Sequence, residues 1–293
     1  MLDLTRTVRF ALNPAGPDGE ARAPRHNTFS AWPPPRGLAR YYELHVTCRG
    51  RADPQTGYFI NIKHIDAAVR EHALPRLRAA VADESAAANV PLGRLLRDLL
   101  ADLQPPLDHR VVGLELQLTP YLSYQLRQPL PPSTAPDADK RSARATPTPP
   151  MPDHVLIKQQ YEFSAAHRLH VPEHSDDQNL ETFGKCNNPA GHGHNYRVQV
   201  VARCAIDPAG RTASAADLDA VVDAALIQPL DHKHLNVDVP QFARLNPSVE
   251  HIAAVAWDLL ADPLAQALPG SELDELTVWE TTKTACTYRG PAS

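Results

Sequence analysis

The stretch GHGHNYRVQV, residues 191–200, decides how this chain folds and which chemistry it supports. Apolar and polar residues alternate from Asn195 onward, which predicts a β-strand from Asn195 to Ala205. Residues two apart in an extended chain project to the same side, so His192 and His194 can reach one ion. We expect Gly193 between them to allow close approach of neighbouring backbone, because it has no side chain.

A third imidazole stands at the end of the preceding predicted strand, which runs from His154 to Phe163 and leads on to His167. Adjacent strands would bring His167 beside His192 and His194. Three histidines without a fourth protein ligand are typical of catalytic zinc, which keeps one position open for substrate or water. Taken alone, a His-x-His pair is a weak signal that also fits surface or core histidines.

The first half of the chain repeats this pattern without the histidines. Residues 42–46 (YELHV) parallel residues 196–200 (YRVQV), at an offset of 154 (196 minus 42), and an arginine and an Asp-Pro pair follow each at the same spacing. This predicts an internal duplication. The first copy reads GLAR at residues 37–40 where the second reads GHGH at 191–194. We therefore expect the first copy to bind no zinc and to have a structural role.

A linker separates the two halves. Residues 128–153 contain eight prolines and almost no large apolar side chains, which predicts an extended segment. We expect a metal-free domain over residues 1–127 and a catalytic zinc domain over residues 154–293.

Capping signals predict two helices in the second domain, one from Ala215 to about Ile227 and one capped by Asn246 that runs to about Leu260. Two closing strands are expected at residues 276–280 and 286–289. Each domain then has the order ββααββ. This is an α+β fold in which an antiparallel sheet carries two helices on one face.

Composition narrows the functional class. The chain has 293 residues, of which 43% are hydrophobic, and a net charge of -5. Such a mild charge gives no reason to expect nucleic acid or an anionic membrane as a partner, and no apolar run is long enough to span a bilayer. The four cysteines are scattered without close pairing, which favours reduced thiols and a cytoplasmic setting.

Further positions can handle protons or bind substrate. Cys186 lies six residues before His192, and a nearby cation would lower its thiol pKa; the alternative is a small buried apolar residue. Asp231 and His232 can form a carboxylate–imidazole pair or a polar turn. Glu280, in a closing strand, can accept hydrogen bonds from the N–H groups of a heterocyclic ligand or point into solvent.

Together these motifs resemble the signatures of the 6-pyruvoyl- and 6-carboxytetrahydropterin synthase family. The resemblance covers almost the whole second half, in the segments FSAAHRL (163–169), FGKCNNPAGHGHNY (183–196), LDHKHLN (230–236), WET (279–281) and YRG (288–290). It implies two tandem tunnelling-fold (T-fold) domains, the first of them degenerate. It also implies zinc on His167, His192 and His194, and 7,8-dihydroneopterin triphosphate as the substrate.

The same resemblance implies a role for each candidate. Cys186 matches the family's proton acceptor, Asp231 with His232 the second proton-handling group, and Glu280 the residue that anchors the pterin ring.

Ser248 and Glu250 stand where the family has a Thr-x-Glu-Asn stretch, so they are further candidate substrate contacts, although His251 replaces the usual asparagine. Three basic residues are candidate partners of the triphosphate on charge alone: Arg168, Lys185 and Lys233.

The resemblance leaves the product open. The spacing from Cys186 to His192 is similar to that of 6-pyruvoyl enzymes, whereas the ending after Glu280 is similar to that of 6-carboxy enzymes of the queuosine (deazaguanine) pathway. Alternatives from other classes are a zinc hydrolase that uses metal-bound hydroxide, and a non-catalytic zinc scaffold with Cys186 as fourth ligand. The family joins subunit sheets into a barrel, which implies a homo-oligomer, and we expect a trimer of two-domain chains.

Overall fold

The computed structural model describes residues 1–13, 29, 31–82, 87–128 and 151–291. The chain divides into two compact units, the first comprising Met1–Val155 with Ile206–Thr212 and the second Leu156–Ala205 with Ala213–Ser293. The expected proline-rich linker lies, apart from its two ends, outside the described residues. All four cysteines are free, and no helix in the described ranges is long and apolar enough to cross a membrane.

The first unit contains an antiparallel sheet of order β1-β2-β3-β4. One face of this sheet is apolar, since Val8, Leu44 and Leu116 lie side by side in register and are buried. The other face is polar, as where Thr7 lies opposite His45. Such a division follows from the two-residue period of strands. The strands are β1 (Leu2–Leu12), β2 (Arg40–Gly50), β3 (Val111–Thr119) and β4 (Leu122–Arg127).

Helices of the first unit follow β2. The Asn61 side chain caps α1 (Ile62–Ala68), which continues through a π-helical turn (Val69–Ala73) into α2 (Leu74–Ala80). The next helix, α3 (Leu92–Leu103), packs against β3 and β4. It buries leucines at helical spacing, namely Leu95, Leu96, Leu99, Leu100 and Leu103.

The second unit has the sheet order β5-β6-β8-β9, and the short strand β7 pairs in parallel with β5. The predicted antiparallel sheet with helices is confirmed, because β8 pairs antiparallel with both β6 and β9. β5 and β6 extend further than predicted, so that all three candidate zinc histidines lie on strands. The strands are β5 (His154–His167), β6 (His192–Ala205), β7 (Lys233–His234), β8 (Ser271–Thr281) and β9 (Thr284–Tyr288).

The helices of the second unit partly match the predictions. The capping box of Ser214 and Asp217 is confirmed, whereas the first helix was not predicted although Ser175 and Gln178 form a second capping box. The helices are α4 (Asp176–Phe183), α5 (Ala215–Val222), α6 (Gln228–Leu230), α7 (Leu235–Asp238) and α8 (Val249–Ala267).

The predicted start of the last helix was wrong. Ser248 caps α8, since its side chain accepts a hydrogen bond from the backbone N–H of His251 at 3.4 Å and the helix begins at Val249. Asn246 lies in the preceding turn, where its side-chain oxygen accepts the backbone N–H of His170 at 2.9 Å. That oxygen is therefore engaged with another segment and does not cap the helix.

Both units contain the same helical irregularity. The π-helical turns Val69–Ala73 and Asp223–Ile227 begin 154 residues apart (223 minus 69), the offset of the sequence repeat. Each turn is followed by a proline, Pro75 or Pro229, at the same spacing. Proline has no N–H to continue the regular hydrogen-bond ladder, so the same residue accounts for the wider turn in both units.

Candidate active site

Three imidazoles meet where β5 ends and β6 begins. The ligand nitrogens of His167, His192 and His194 all lie within 4.8 Å of one another. The strand spacing expected for His192 and His194 therefore brings both rings to one point, and His167 reaches it from the neighbouring strand.

His167 is fully buried, and one backbone group fixes its orientation. Its Nδ1 donates to the carbonyl oxygen of Pro247 at 2.7 Å, which leaves the lone pair on Nε2. That Nε2 is 3.2 Å from Nε2 of His192. Burial lowers the pKa of His167 to about 4, even though the bond to Pro247 opposes the shift. The ring is neutral near pH 7, as a metal ligand must be.

The donor set fits a zinc ion. Nε2 of His194, which faces this cluster, is buried and has no hydrogen-bond partner among the described residues. Unpaired buried nitrogens are costly unless something else satisfies them. Three neutral imidazoles are a known donor set of catalytic zinc. Within the described part of the chain, the group that can hold an ion contains these three histidines and not Cys186.

Glycine is required at residue 191 and not at 193. Gly191 has a φ of +72°, and a Cβ there would lie 2.7 Å from Nε2 of His234 and 3.1 Å from the carbonyl oxygen of His167. A Cβ at Gly193 would meet only the carbonyl oxygen of Ala165 at 3.7 Å, an ordinary contact. The expectation for Gly193 was therefore wrong, and the close approach occurs two residues earlier, at Gly191.

Glu280 extends from β8 to the histidine cluster. Its Oε1 is 3.5 Å from Nε2 of His167 and 3.6 Å from Nε2 of His194. The carboxylate is mostly buried, with 17% of the side chain exposed. It can therefore accept hydrogen bonds from a ligand that lies directly against the metal ligands.

Cys186 lies in a 3₁₀ turn (Gly184–Asn187) that follows α4. Its carbonyl oxygen accepts the backbone N–H of Leu169 at 2.8 Å, which ties the turn to the end of β5. Burial, and then the carboxylate of Glu280, raise the pKa of the Cys186 thiol. The protein side chains alone thus favour the thiol, and a thiolate requires an additional positive charge nearby.

Asp231 and His232 contact each other directly after α6. Oδ2 of Asp231 is 2.7 Å from Nδ1 of His232, and Oδ1 accepts the backbone N–H of Ser164 at 2.8 Å. The bond from Ser164, followed by that from His232, lowers the pKa of Asp231. The His232 ring is exposed, and because Asp231 occupies its Nδ1, Nε2 remains available to exchange a proton. His232, Lys233 and the metal-ligand candidate His194 line one cavity of about 620 Å³, here called the His232 cavity.

Comparison with known proteins covers this region. The profile described as 6-pyruvoyl tetrahydropterin synthase matches residues 156–291. A 6-pyruvoyl tetrahydrobiopterin synthase of Poecilia reticulata is 42% identical over 149 residues, which is 50% of this chain and 99% of the relative. The Homo sapiens protein of the same name is 44% identical over 135 residues, which is 46% of this chain and 90% of that protein.

The chain belongs to the 6-pyruvoyl tetrahydropterin synthase family. It is accordingly a lyase, and the family resemblance found in the sequence is confirmed. The solved structure of the Caenorhabditis elegans 6-pyruvoyl tetrahydropterin synthase is 36% identical and covers 47% of this chain and 96% of its own, with a TM-score of 0.42. The family profile, which matches residues 156–291, includes every candidate residue from His167 to Glu280.

Two candidate substrate contacts of this family member have other partners in the structure. The Ser248 side chain is hydrogen-bonded to the Glu250 carboxylate, the first cause of the lowered pKa of Glu250, and it also caps α8. No hydrogen bond among the described residues joins either side chain to the histidine cluster. Their role as substrate contacts stays a prediction.

Sequence reasoning missed two groups that position the site. The Pro247 carbonyl, which orients His167, has no sequence signal because any residue supplies a carbonyl. Asn236 holds the backbone of Arg168 at both ends, because its Oδ1 accepts the N–H at 2.8 Å and its Nδ2 donates to the carbonyl at 3.0 Å. Asn236 could have been identified from the sequence, because it is the last residue of the LDHKHLN segment that resembles the family.

Proposed function

We propose that this chain is a zinc-dependent lyase that converts 7,8-dihydroneopterin triphosphate to 6-pyruvoyl-tetrahydropterin, with release of triphosphate. The observation that carries the proposal is the convergence of His167, His192 and His194 within 4.8 Å, with the Glu280 carboxylate beside two of them. A group that can hold a pterin ring thus lies next to the expected metal. The relatives that bear the name of this enzyme match over nearly their whole length.

The proposed reaction assigns one task to each side chain. Zinc on the three imidazoles would act as a Lewis acid that acidifies the hydroxyl groups of the substrate side chain. Glu280 would accept the ring N–H donors and so hold that side chain against the cluster. Cys186 would remove a proton from the carbon next to the ring, and Nε2 of His232 would return one, because Asp231 holds Nδ1.

The first unit is proposed to be a metal-free copy of the second, so that the chain holds two tandem T-fold domains. Three features support this: the repeated sequence, the matching strand order and the π-helical turns at the same offset. Leu38 and Arg40 stand where the second unit has His192 and His194. We assign the first unit a structural role.

Assembly into a homo-oligomer, with a trimer as the expected form, completes the proposal. β1 lies at an edge of the first unit's sheet and β9 at an edge of the second unit's sheet. Edge strands present unpaired backbone groups to another chain. Light scattering on the purified protein would test the expected state of three chains.

The decisive experiment incubates the purified, zinc-loaded protein with 7,8-dihydroneopterin triphosphate and identifies the products by mass spectrometry. A 6-pyruvoyl product supports the proposal, whereas a 6-carboxy product with acetaldehyde would place the chain in deazaguanine synthesis. Cys186→Ala and Glu280→Gln should abolish turnover. A zinc hydrolase would retain activity in both variants, and a scaffold would show no turnover at all.

A further inference from the structure

A second cavity in the second unit lies beside the end of the strand that carries His167, since Arg168 and His170 line it. It measures about 700 Å³, and we call it the Arg168 cavity. Four basic side chains line it, together with Glu173 as an acid: Arg168, His170, His234 and Arg244. Its composition therefore differs from that of a purely apolar pocket.

The tautomer of His170, which lines this cavity, follows from the groups around its ring. Its Nδ1 is 3.1 Å from Nδ2 of Asn187 and 3.3 Å from Nη2 of Arg168. The Asn187 amide is oriented by its bond to the carbonyl of Leu169 at 2.8 Å, so its Nδ2 is a donor. Two donors facing Nδ1 require a lone pair there, and the ring hydrogen of neutral His170 is therefore on Nε2.

Asn246 and the two arginines offer further donors, whereas Glu173 is an acceptor. Asn246 uses its side-chain oxygen for the N–H of His170, which leaves its amide hydrogens for a ligand. Arg244 is exposed and has no ion pair or hydrogen bond within the described part of the chain. Arg168 uses Nε and one Nη2 hydrogen, so part of its guanidinium is free. The positive charges of Arg168 and Arg244 exceed the single negative charge of Glu173. A cavity lined by so many hydrogen-bond donors suits an oxyanion.

The cavity is directly connected to the turn that holds Cys186. Arg168 and His170 flank Leu169, whose N–H bonds to the carbonyl of Cys186 at 2.8 Å. Nε of Arg168 donates to the carbonyl of the next residue, Asn187, at 3.2 Å. An anion in the cavity would thus lie beside the catalytic turn.

We propose that the Arg168 cavity binds a polyphosphate, and that this polyphosphate is the triphosphate of the pterin substrate. The assignment to the substrate rests on the proposed function, whereas the polyphosphate chemistry rests on the cavity alone. Lys185, which does not line the cavity, is then not required for triphosphate binding, and Lys233 lines the His232 cavity instead.

The test compares Arg244→Gln with Lys63→Gln, which removes an equal charge from an exposed site on α1. KM for 7,8-dihydroneopterin triphosphate should rise about tenfold in Arg244→Gln, with kcat little changed, because one charge-assisted bond is lost. The Kd of 7,8-dihydroneopterin, which has no phosphates, should not change. His170→Ala should shift KM in the same direction. An unchanged KM in both cavity variants, or an equal loss of dihydroneopterin binding, overturns the proposal.

Direct binding separates this proposal from the proposed function. Inorganic tripolyphosphate and ATP are titrated calorimetrically into the full-length protein, with zinc content measured before and after. If the wild type turns over no pterin but binds tripolyphosphate about tenfold more tightly than Arg244→Gln, the polyphosphate site stands and the proposed function fails. If ATP binds through Arg244 while KM for the pterin is unchanged, the assignment to the substrate is overturned. Tripolyphosphate binding that does not depend on Arg244 overturns the site itself.

Discussion

The two units contain the same aromatic pair on their first two strands. Phe10 packs against Tyr42 in the first unit with ring centroids 6.2 Å apart and planes tilted by 39°. Phe163 stacks on Tyr196 in the second unit at 4.9 Å and 15°. In the second unit, Tyr196 also lies 5.5 Å from the ring of His194, so the closer stack lies beside a metal-ligand candidate. The aromatic pair thus occurs in both units, whereas the ring distance and interplanar angle differ between them.

The units diverge at the turn that precedes the tyrosine of this pair. Gly37 and Gly191 both have positive φ angles, +57° and +72°. Leu38 after the first glycine is fully exposed, whereas His192 after the second joins the cluster. The same turn and strand thus occur with and without the histidine cluster, so this part of the fold does not depend on those histidines.

The largest difference in turnover is expected between substitutions at equivalent strand positions of the two units. His194→Ala removes a metal-ligand candidate, and we expect turnover of the pterin substrate to fall at least about 10³-fold. Arg40→Ala, at the matching position of the first unit, should leave turnover unchanged. Steady-state assays of both variants decide this, and equal losses would show that the first unit takes part in catalysis.

Acid should destabilise the second unit through His167. Its pKa is about 4 when folded and near 6.5 when unfolded, so the unfolded state binds the proton first as pH falls. The stabilisation is complete above pH 6.5 and is lost toward pH 4, by about 3 kcal/mol in metal-stripped protein. No described histidine of the first unit is buried. Urea unfolding at several pH values should show a flatter profile for His167→Gln, and identical profiles would contradict this account.

Glycine substitutions should differ between the two turns. Gly191→Ala introduces both an unfavourable φ and contacts of 2.7 and 3.1 Å, and we expect a loss of about 2–3 kcal/mol in the free energy of unfolding. Gly37→Ala meets nothing within 4 Å, so only the backbone cost of about 1 kcal/mol remains. Denaturant titration measures both losses. If Gly37→Ala lowered the free energy of unfolding as much as Gly191→Ala, crowding by His234 would not be the cause of the loss at residue 191.

The smallest effect concerns helix caps that the units share. Asn61 accepts the N–H of Lys63 at 3.0 Å, and Ser214 accepts that of Asp217 at 3.1 Å. Replacement of either cap by alanine should cost about 1 kcal/mol. Thermal unfolding of Asn61→Ala and Ser214→Ala checks this, and a neutral result for one cap would break the equivalence of the two helices.

The sequence predicted those parts of the site that depend on strand periodicity. His192 and His194 reach one point because side chains two apart share a face, and the adjacency of neighbouring strands predicted His167 beside them. The Ser214 cap was predictable because its partner lies three residues away. Local patterns of this kind are fully contained in a short stretch of chain.

Contacts between distant segments were not predictable. The start of α8 was misplaced because Asn246 bonds to His170, which is 76 residues away. Pro247 orients His167 through a backbone carbonyl, and Gly191 is crowded by His234 from another strand. Such interactions depend on tertiary packing and leave no local pattern.

We propose that the second unit alone holds the metal site of this chain. Elemental analysis of the purified wild-type protein, alongside His192→Ala, tests it most directly. We predict one zinc per chain in the wild type and none in the variant. Two zinc ions per chain, or one that survives His192→Ala, would contradict the account.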